Sequence, residues 1–363
     1  MMQTNPSHDS AAEHLSSLRH VRERTYLPDA QAPYHGVSHP DAVWEKASIL
    51  IERCERLGIS VDKVSLHYAI ELHDALCYLD PTLLGFSSAE QLSAVLTQRY
   101  LVSRGYSQEA ANTVSTIIMA THPDVRPRTT EEIIIRAADI WNIGSTYQGF
   151  VQASRALHQE AMNAKQTSIP FESFLQGSYG YLQKFLWPLL ELTPEARDSE
   201  GRSVWHMNAM RNLTRQWTET FGPETPVIAE FFPEGEISSS RLTGRHTFYI
   251  AMHPDEQRRK DSLGTTKRAV ADLKGAAFVI PASPSAFSLP DEVCTSVILR
   301  NPSLSAVREA LRVSKAGGSI ILPMTRELDS NILEVARTLL SVTIEPSDEG
   351  DPATLIIFKS VAP

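Results

Sequence analysis

Four features in the first 140 residues have the types and order needed to hold a divalent cation. They are Tyr34-His35 followed by His39, the dipeptide His73-Asp74, His122 and Asp139. Such a cation needs several nitrogen and oxygen ligands converging on one point. A mixture of imidazole and carboxylate suits Mn, Fe or Zn, with Co and Mg as further candidates. His73 interrupts the apolar stripe Leu66, Ala69, Ile70 and Cys77, and Asp139 interrupts the apolar run from Ile133 to Ile143. A buried imidazole or carboxylate is costly unless it is bonded or liganded, so one shared cation relieves both costs at once. The alternatives are a hydrogen-bonded core histidine at His73 and an Arg136 or tyrosine partner for Asp139. His67 is a poor candidate ligand, because six residues before His73 it falls about 120° away around a helix.

The elements that must position these residues read as helices. Pro40 suits the first turn of a helix with apolar positions Val43, Ala47, Leu50, Cys54 and Leu57, closed by Gly58. This places His39 at the helix start, pointing out of its end. A second helix is predicted from Val61 to Tyr78. Within it, neighbours His73 and Asp74 differ by about 100°, so they reach one ion only if the helix packs edge-on to the site. Ser88 and Ser107 cap a third and a fourth helix, running to about Arg104 and Ala120. Thr129-x-x-Glu132 has capping-box spacing and opens a fifth, through Trp141. Further helices are expected over 146–163 and 170–191.

The order H…HD…D on this helical background resembles the HD-domain superfamily of metal-dependent phosphohydrolases, over Tyr34 to Glu160. Tyr34-His35-Gly36-Val37-Ser38-His39 is similar to the Y-H-N-x-x-H signature of cyclic-nucleotide phosphodiesterases and small bacterial HD phosphohydrolases, with Gly36 where Asn is usual. Ser88 to Ala94, Ala120-Thr121-His122 and Ala137 to Ile143 resemble further family segments. The resemblance implies His39, His73, Asp74 and Asp139 as metal ligands, with His122 as an added one. It implies His35 as the general acid that protonates the leaving oxygen, and water activated by the cation as the nucleophile at phosphorus. Arg126 and Arg128, in the Pro-rich loop after His122, are candidates to grip a substrate phosphate, against the plainer reading of a solvated loop.

After Pro194 the pattern changes. Short β-rich runs at Pro226–Phe232, His246–His253, Ala276–Ala282, Thr295–Arg300, Ser319–Met324, Val342–Pro346 and Thr354–Ser360 alternate with helical stretches at 255–272, 304–315 and 329–340. Such alternation predicts a mainly parallel sheet. Ala276 to Arg300 and Ala310-Leu311-Arg312-Val313-Ser314-Lys315-Ala316-Gly317-Gly318-Ser319-Ile320-Ile321-Leu322 resemble class I SAM-dependent methyltransferases, over about 226–361. The chain contains no GxG, bulky Phe231 and Phe232 follow the first strand, and Ala251 or Met252 falls where an acid holds the cofactor ribose. SAM binding is therefore not expected, and this half is assigned to docking, dimerisation or substrate selection.

The fold class is multidomain: a helical HD domain at 31–195 and a Rossmann-like α/β domain at 225–363, after a polar lead-in at 1–30. Length agrees, since 363 residues suit about two domains. The 43 acids against 34 bases argue against a nucleic-acid polymer as partner. The excess is uneven: residues 1–200 hold 24 acids and 16 bases, leaving 19 and 18 for the rest. Cys54, Cys77 and Cys294 form no CxxC pair, which fits a reducing compartment. The polar opening lacks the apolar core of a signal peptide, and no stretch nears the ~18 apolar residues of a membrane span. The expectation is a cytoplasmic protein without membrane contact, acting on a small phosphate ester such as a nucleotide, with a homodimer through the C-terminal domain. The alternatives are a methyltransferase regulated by its HD half and a non-catalytic nucleotide sensor.

Overall fold

A computed structural model describes residues 18–182, 198–231, 244–280, 282–300, 302–323, 340–345 and 354–359. The chain divides into two compact units. The first runs to Asn142 and adds Val151–Ile169; the second takes Ile143–Phe150 and, from Pro170 onward, the remaining described residues. Among the described residues, no helix is long and apolar enough to cross a membrane.

The first unit is helical. Residues 18–25 form α1, followed by α2 (His39–Arg56), α3 (Lys63–Leu72), α4 (Ala89–Ser103), α5 (Gln108–Met119), α6 (Thr130–Asp139) and α7 (Tyr147–Lys165), the last beginning in the second unit. Local chemistry sets their limits. Pro40 occupies the first turn of α2, with Asp41 in that turn and Arg53 and Arg56 in the last, matching the helix dipole at both ends. The side chains of Asp62, Ser88, Ser107 and Thr129 each accept a backbone N–H at the start of α3, α4, α5 and α6. The capping box at α6 is half formed: Thr129 accepts Glu132 N–H, while Glu132 turns back to Arg128 N–H. Val43, Ala47, Leu50, Ile51 and Cys54 bury one face of α2, which packs on α3 and α6.

One helix is shorter than its pattern predicts. The periodicity from Val61 to Tyr78 continues, but α3 stops at Leu72, and Leu76 takes a left-handed φ of 63°. His73 and Asp74 thus lie in the turn beyond the helix, so the edge-on geometry expected for them is unnecessary.

The second unit is built on a seven-stranded sheet: β1 (Val227–Phe231), β2 (Phe248–Met252), β3 (Ala276–Ile280), β6 (Cys294–Leu299), β7 (Ser314–Pro323), β8 (Leu340–Glu345) and β9 (Thr354–Lys359). A small ladder, β4 (Ala282–Ser283) with β5 (Ala286–Phe287), lies between β3 and β6 in sequence. The order is β3-β2-β1-β6-β7-β9-β8, with β9 antiparallel to its neighbours and the central strands parallel. This is a Rossmann-like α/β sheet of the methyltransferase kind, as the resemblance implied. Strands β1, β2 and β3 are buried at every residue, as parallel strands covered on both faces must be.

One cover is aromatic. Tyr179 of α8 (Phe171–Leu182) stacks on Trp217 of α9 (Val204–Phe221) with ring centroids 5.2 Å apart, and both reach Phe248. The residues between the two expected domains thus include a helix, α9, packed in this unit. On the other face, Val270 of α10 (Glu256–Ala271) joins Ile228, Tyr249, Val279 and Ile298. The glycines Gly317 and Gly318 do not end a helix. α11 (Leu304–Val313) runs straight into β7, and the glycines form a bulge where the β6–β7 register shifts. A Cβ at Gly318 would lie 2.9–3.2 Å from three carbonyl oxygens. The helix expected at 329–340 and the end of the one at 170–191 lie outside the described residues.

Trp217 is wholly buried in the aromatic layer. Trp217→Ala should lower the unfolding free energy of the sheet unit by about 3–5 kcal/mol. A denaturant titration followed by the far-UV signal reads it.

Candidate functional site

Three helix ends meet in the first unit. His39 is the first residue of α2, His73 and Asp74 follow the last residue of α3, and Asp139 is the last residue of α6. Each of the four offers one ligand atom, and the four atoms lie within 4.8 Å of one another. His39 Nε2 is 3.3 Å from His73 Nε2, 3.4 Å from Asp74 Oδ2 and 3.2 Å from Asp139 Oδ1. His73 Nε2 is 3.0 Å from Asp74 Oδ2 and 3.7 Å from Asp139 Oδ1. Ligands about 2.0–2.2 Å from a tetrahedral ion stand about 3.3–3.6 Å apart, so these separations have the size of a coordination shell. The C-terminal ends of α3 and α6 add their negative dipole ends.

The protonation pattern agrees. His73 Nδ1 lies 2.8 Å from Ile70 O, which can only accept, so Nδ1 carries a hydrogen and Nε2 faces the cluster, where it offers a lone pair whenever the ring is neutral. His73 is fully buried, and Asp74 Oδ2 is a buried oxygen that no group reaches with hydrogen-bond geometry. Burial opposes charge on His73, yet Asp74 and Asp139 beside it hold its pKa well above the usual imidazole range. Burial likewise opposes charge on Asp74, but His73 brings it down to about 2, and hydrogen bonds from His39 and His73 lower Asp139 further. Two carboxylates stay charged at a site where a proton on His73 does work a cation would do.

His35 stands beside the cluster, its ring edge-on to His39 at 5.4 Å. Its Nδ1 is 2.7 Å from Glu160 Oε1, and Glu160 Oε2 accepts the backbone N–H groups of Tyr34 and His35. Burial opposes the protonated ring, but Glu160, Asp74 and Asp139 outweigh it and raise His35 to about 9. Glu160, on α7, is the functional residue that sequence reasoning missed. It lies 125 positions from His35 on an ordinary amphipathic helix, and nothing local distinguishes it.

The other candidates separate. His122 is not a member of the cluster: its Nδ1 accepts Asp124 N–H, and its carbonyl accepts from Arg136. Arg136 donates from its guanidinium to the carbonyls of Ala120, His122 and Val125. Arg126 and Arg128 are exposed. Arg128 precedes α6, whose far end bears Asp139, a helix length of about 15 Å for its ten residues, so it is not brought to the cluster. His67 pairs with Trp44 and Glu71, away from the four.

No protein-family model matches the sequence, and no curated protein does, so the HD resemblance stands on the residues alone. Solved structures do match. A predicted O-methyltransferase from Agrobacterium tumefaciens is 18% identical, over 38% of this chain and 74% of its own, with a TM-score of 0.29. A SAM-dependent methyltransferase from Thermotoga maritima is 13% identical, over 40% and 86%, with a TM-score of 0.26. A methyltransferase from Geobacter sulfurreducens is 13% identical, over 42% and 79%, with a TM-score of 0.27.

These neighbours correct the expectation that SAM has no place here, because they include SAM-dependent methyltransferases. The described residues on which that expectation rested lie in the core. Phe231 is a core residue, wholly buried with its ring 4.6 Å from Phe287, and Ala251 and Met252 are interior strand residues. Their bulk and lack of charge serve the core and do not report on a cofactor. Phe232 lies outside the described residues.

Gly36 is required by space. A Cβ there would lie 2.3 Å from Asp29 Oδ1 and 2.5 Å from Ala32 O, and Asp29 Oδ1 accepts Ser38 N–H just before α2. Gly36→Ala should cost about 1–3 kcal/mol by overpacking, read as a lowered thermal midpoint.

Proposed function

We propose that the helical unit is a metal-dependent phosphohydrolase of the HD type, acting on a small phosphate ester such as a nucleotide. The observation that carries this reading is the convergence of His39 Nε2, His73 Nε2, Asp74 Oδ2 and Asp139 Oδ1 at coordination-shell spacing. Mixed imidazole and carboxylate ligands fit Mn, Fe, Co or Zn, with Mg less favoured by two nitrogens. When bound, the cation supplies Lewis-acid chemistry, making a water acidic and offsetting charge on a phosphate oxygen.

The chain's own groups do the rest. His73 is held in one tautomer by Ile70 O, so its lone pair is aimed before any ligand arrives. His35 is the general acid. With Nδ1 engaged by Glu160, its Nε2 proton goes to the ester oxygen as the bond from that oxygen to phosphorus breaks. The water that adds to phosphorus releases a proton to solvent. Glu160 fixes the ring and keeps it protonated at neutral pH.

The second reading is SAM-dependent methyl transfer by the sheet unit, the alternative the sequence left open. It is supported by the strand order with antiparallel β9. Saturable binding of labelled SAM would favour it.

The purified chain should take up Mn, Co or Zn and hydrolyse a small phosphate ester only when loaded. His73→Ala and Asp139→Asn should lose both metal and activity. Wild type without metal, or both variants with full metal content and activity, contradicts the reading. Glu160→Gln removes the charge that holds the proton on His35, so the His35 pKa must fall. The alkaline limb of the kcat profile, where the acid form is lost, should then move to lower pH. An unmoved limb contradicts the role given to Glu160.

A further inference from the structure

Arg22 is 4% exposed, yet it takes no part in the chemistry above. Its Nη1 and Nη2 donate to Asp41 Oδ1 and Oδ2, both at 2.9 Å, and Nη1 also donates to Glu71 Oε1 at 3.3 Å. Asp41 lies two residues after His39 in the first turn of α2. Glu71 lies two residues before His73 at the end of α3. One planar guanidinium therefore joins the two helix ends that carry three of the four candidate ligands. Two further bonds come from the same segment: Tyr26 Oη accepts Asp74 N–H at 3.0 Å, and Thr25 O accepts Leu76 N–H at 2.9 Å. The HD turn is thus held on both sides of Asp74 by residues next to one another in α1 and just after it.

This arrangement is a poor way to gain stability. The pair with Glu71 is buried and returns little beyond its desolvation cost, the pair with Asp41 lies on an exposed carboxylate, and Arg22 Nε and Glu71 Oε2 are buried without a hydrogen-bond partner. What the network does supply is a fixed separation. A guanidinium fork bonded to both oxygens of one carboxylate holds distance and orientation together, which an ammonium cannot.

We infer that α1 is a strap that sets the spacing of the metal ligands, with Arg22 as its positioning residue and Tyr26 as the support of Asp74. The inference rests on the reading of the four-residue cluster as a metal centre, and extends it to residues that touch no metal. The strap makes affinity for the ion depend on side chains outside the coordination shell, as bonded partners of ligands commonly do.

The test is a Co²⁺ titration of the full chain, read by equilibrium dialysis and by the visible spectrum of the bound ion. Arg22→Met should weaken Co²⁺ binding on the order of tenfold or more and alter the spectrum. Arg22→Lys, which keeps the charge without the fork, should not restore it. Asp41→Asn, on a partly exposed residue, should weaken binding similarly, and the double variant should add little to either. Tyr26→Phe should weaken binding while keeping the ring. Leu101→Ala, in the α4 core, serves as a control: it should lower thermal stability and leave Co²⁺ affinity unchanged. Should Arg22→Met fail to fold, Asp41→Asn and Tyr26→Phe decide. If wild type binds Co²⁺ and these variants bind it equally well, the strap is overturned while the metal centre stands. If wild type binds none, the metal centre itself falls and the strap's role with it.

Discussion

Two carboxylates and two imidazoles whose nearest atoms lie within 4.8 Å of one another form the constraint around which the helical unit is arranged. Left alone, Asp74 and Asp139 repel each other and lose solvation. They remain charged because His73 can hold a proton between them, and its Nδ1 is already committed to Ile70 O. Here the arrangement is met where helices end or turn. α2 begins at the cluster, α3 stops one residue short of it, and α6 ends on it. The lengths of these helices, the left-handed Leu76 and the glycine at position 36 all serve that convergence.

Around it lies a layer of residues whose job is to hold, not to react. Glu160 bonds the backbone N–H groups of Tyr34 and His35 and the His35 Nδ1, and so fixes the His35 ring beside the cluster. Asp29 occupies the space that a side chain at position 36 would need and secures the approach to α2. Arg22 bonds the carboxylates of Asp41 and Glu71, and Tyr26 accepts the Asp74 N–H, from a segment that carries none of the four residues itself. The sheet unit follows a different logic, burying parallel strands between an aromatic layer and the apolar side of α10.

Much of this could be read from the residues. The convergence of His39, His73, Asp74 and Asp139 was legible because polar groups interrupt apolar stripes, and such interruptions carry a physical cost that demands a partner. The helix starts were legible from Ser88, Ser107 and Thr129, which act locally. The end of α3 was not, because its apolar periodicity continues past Leu72 and only tertiary contact decides where the turn falls. Glu160 and Arg22 were invisible for a related reason: their partners lie far away in sequence, and each sits in an unremarkable amphipathic stretch. In the sheet unit, strand positions followed from composition. The bulge at Gly317 and Gly318 was not legible, because a glycine pair shows its role in a strand only beside the neighbouring strand. Phe231 misled for the same reason, a core residue being indistinguishable in sequence from one that fills a crevice.

The most direct measurement is an anomalous difference map from crystals of the full chain grown with Mn²⁺ or Co²⁺. The account predicts a peak in the helical unit about 2.0–2.2 Å from His39 Nε2, His73 Nε2, Asp74 Oδ2 and Asp139 Oδ1. A map with no peak among these four atoms, at cation concentrations that saturate binding in solution, would contradict it.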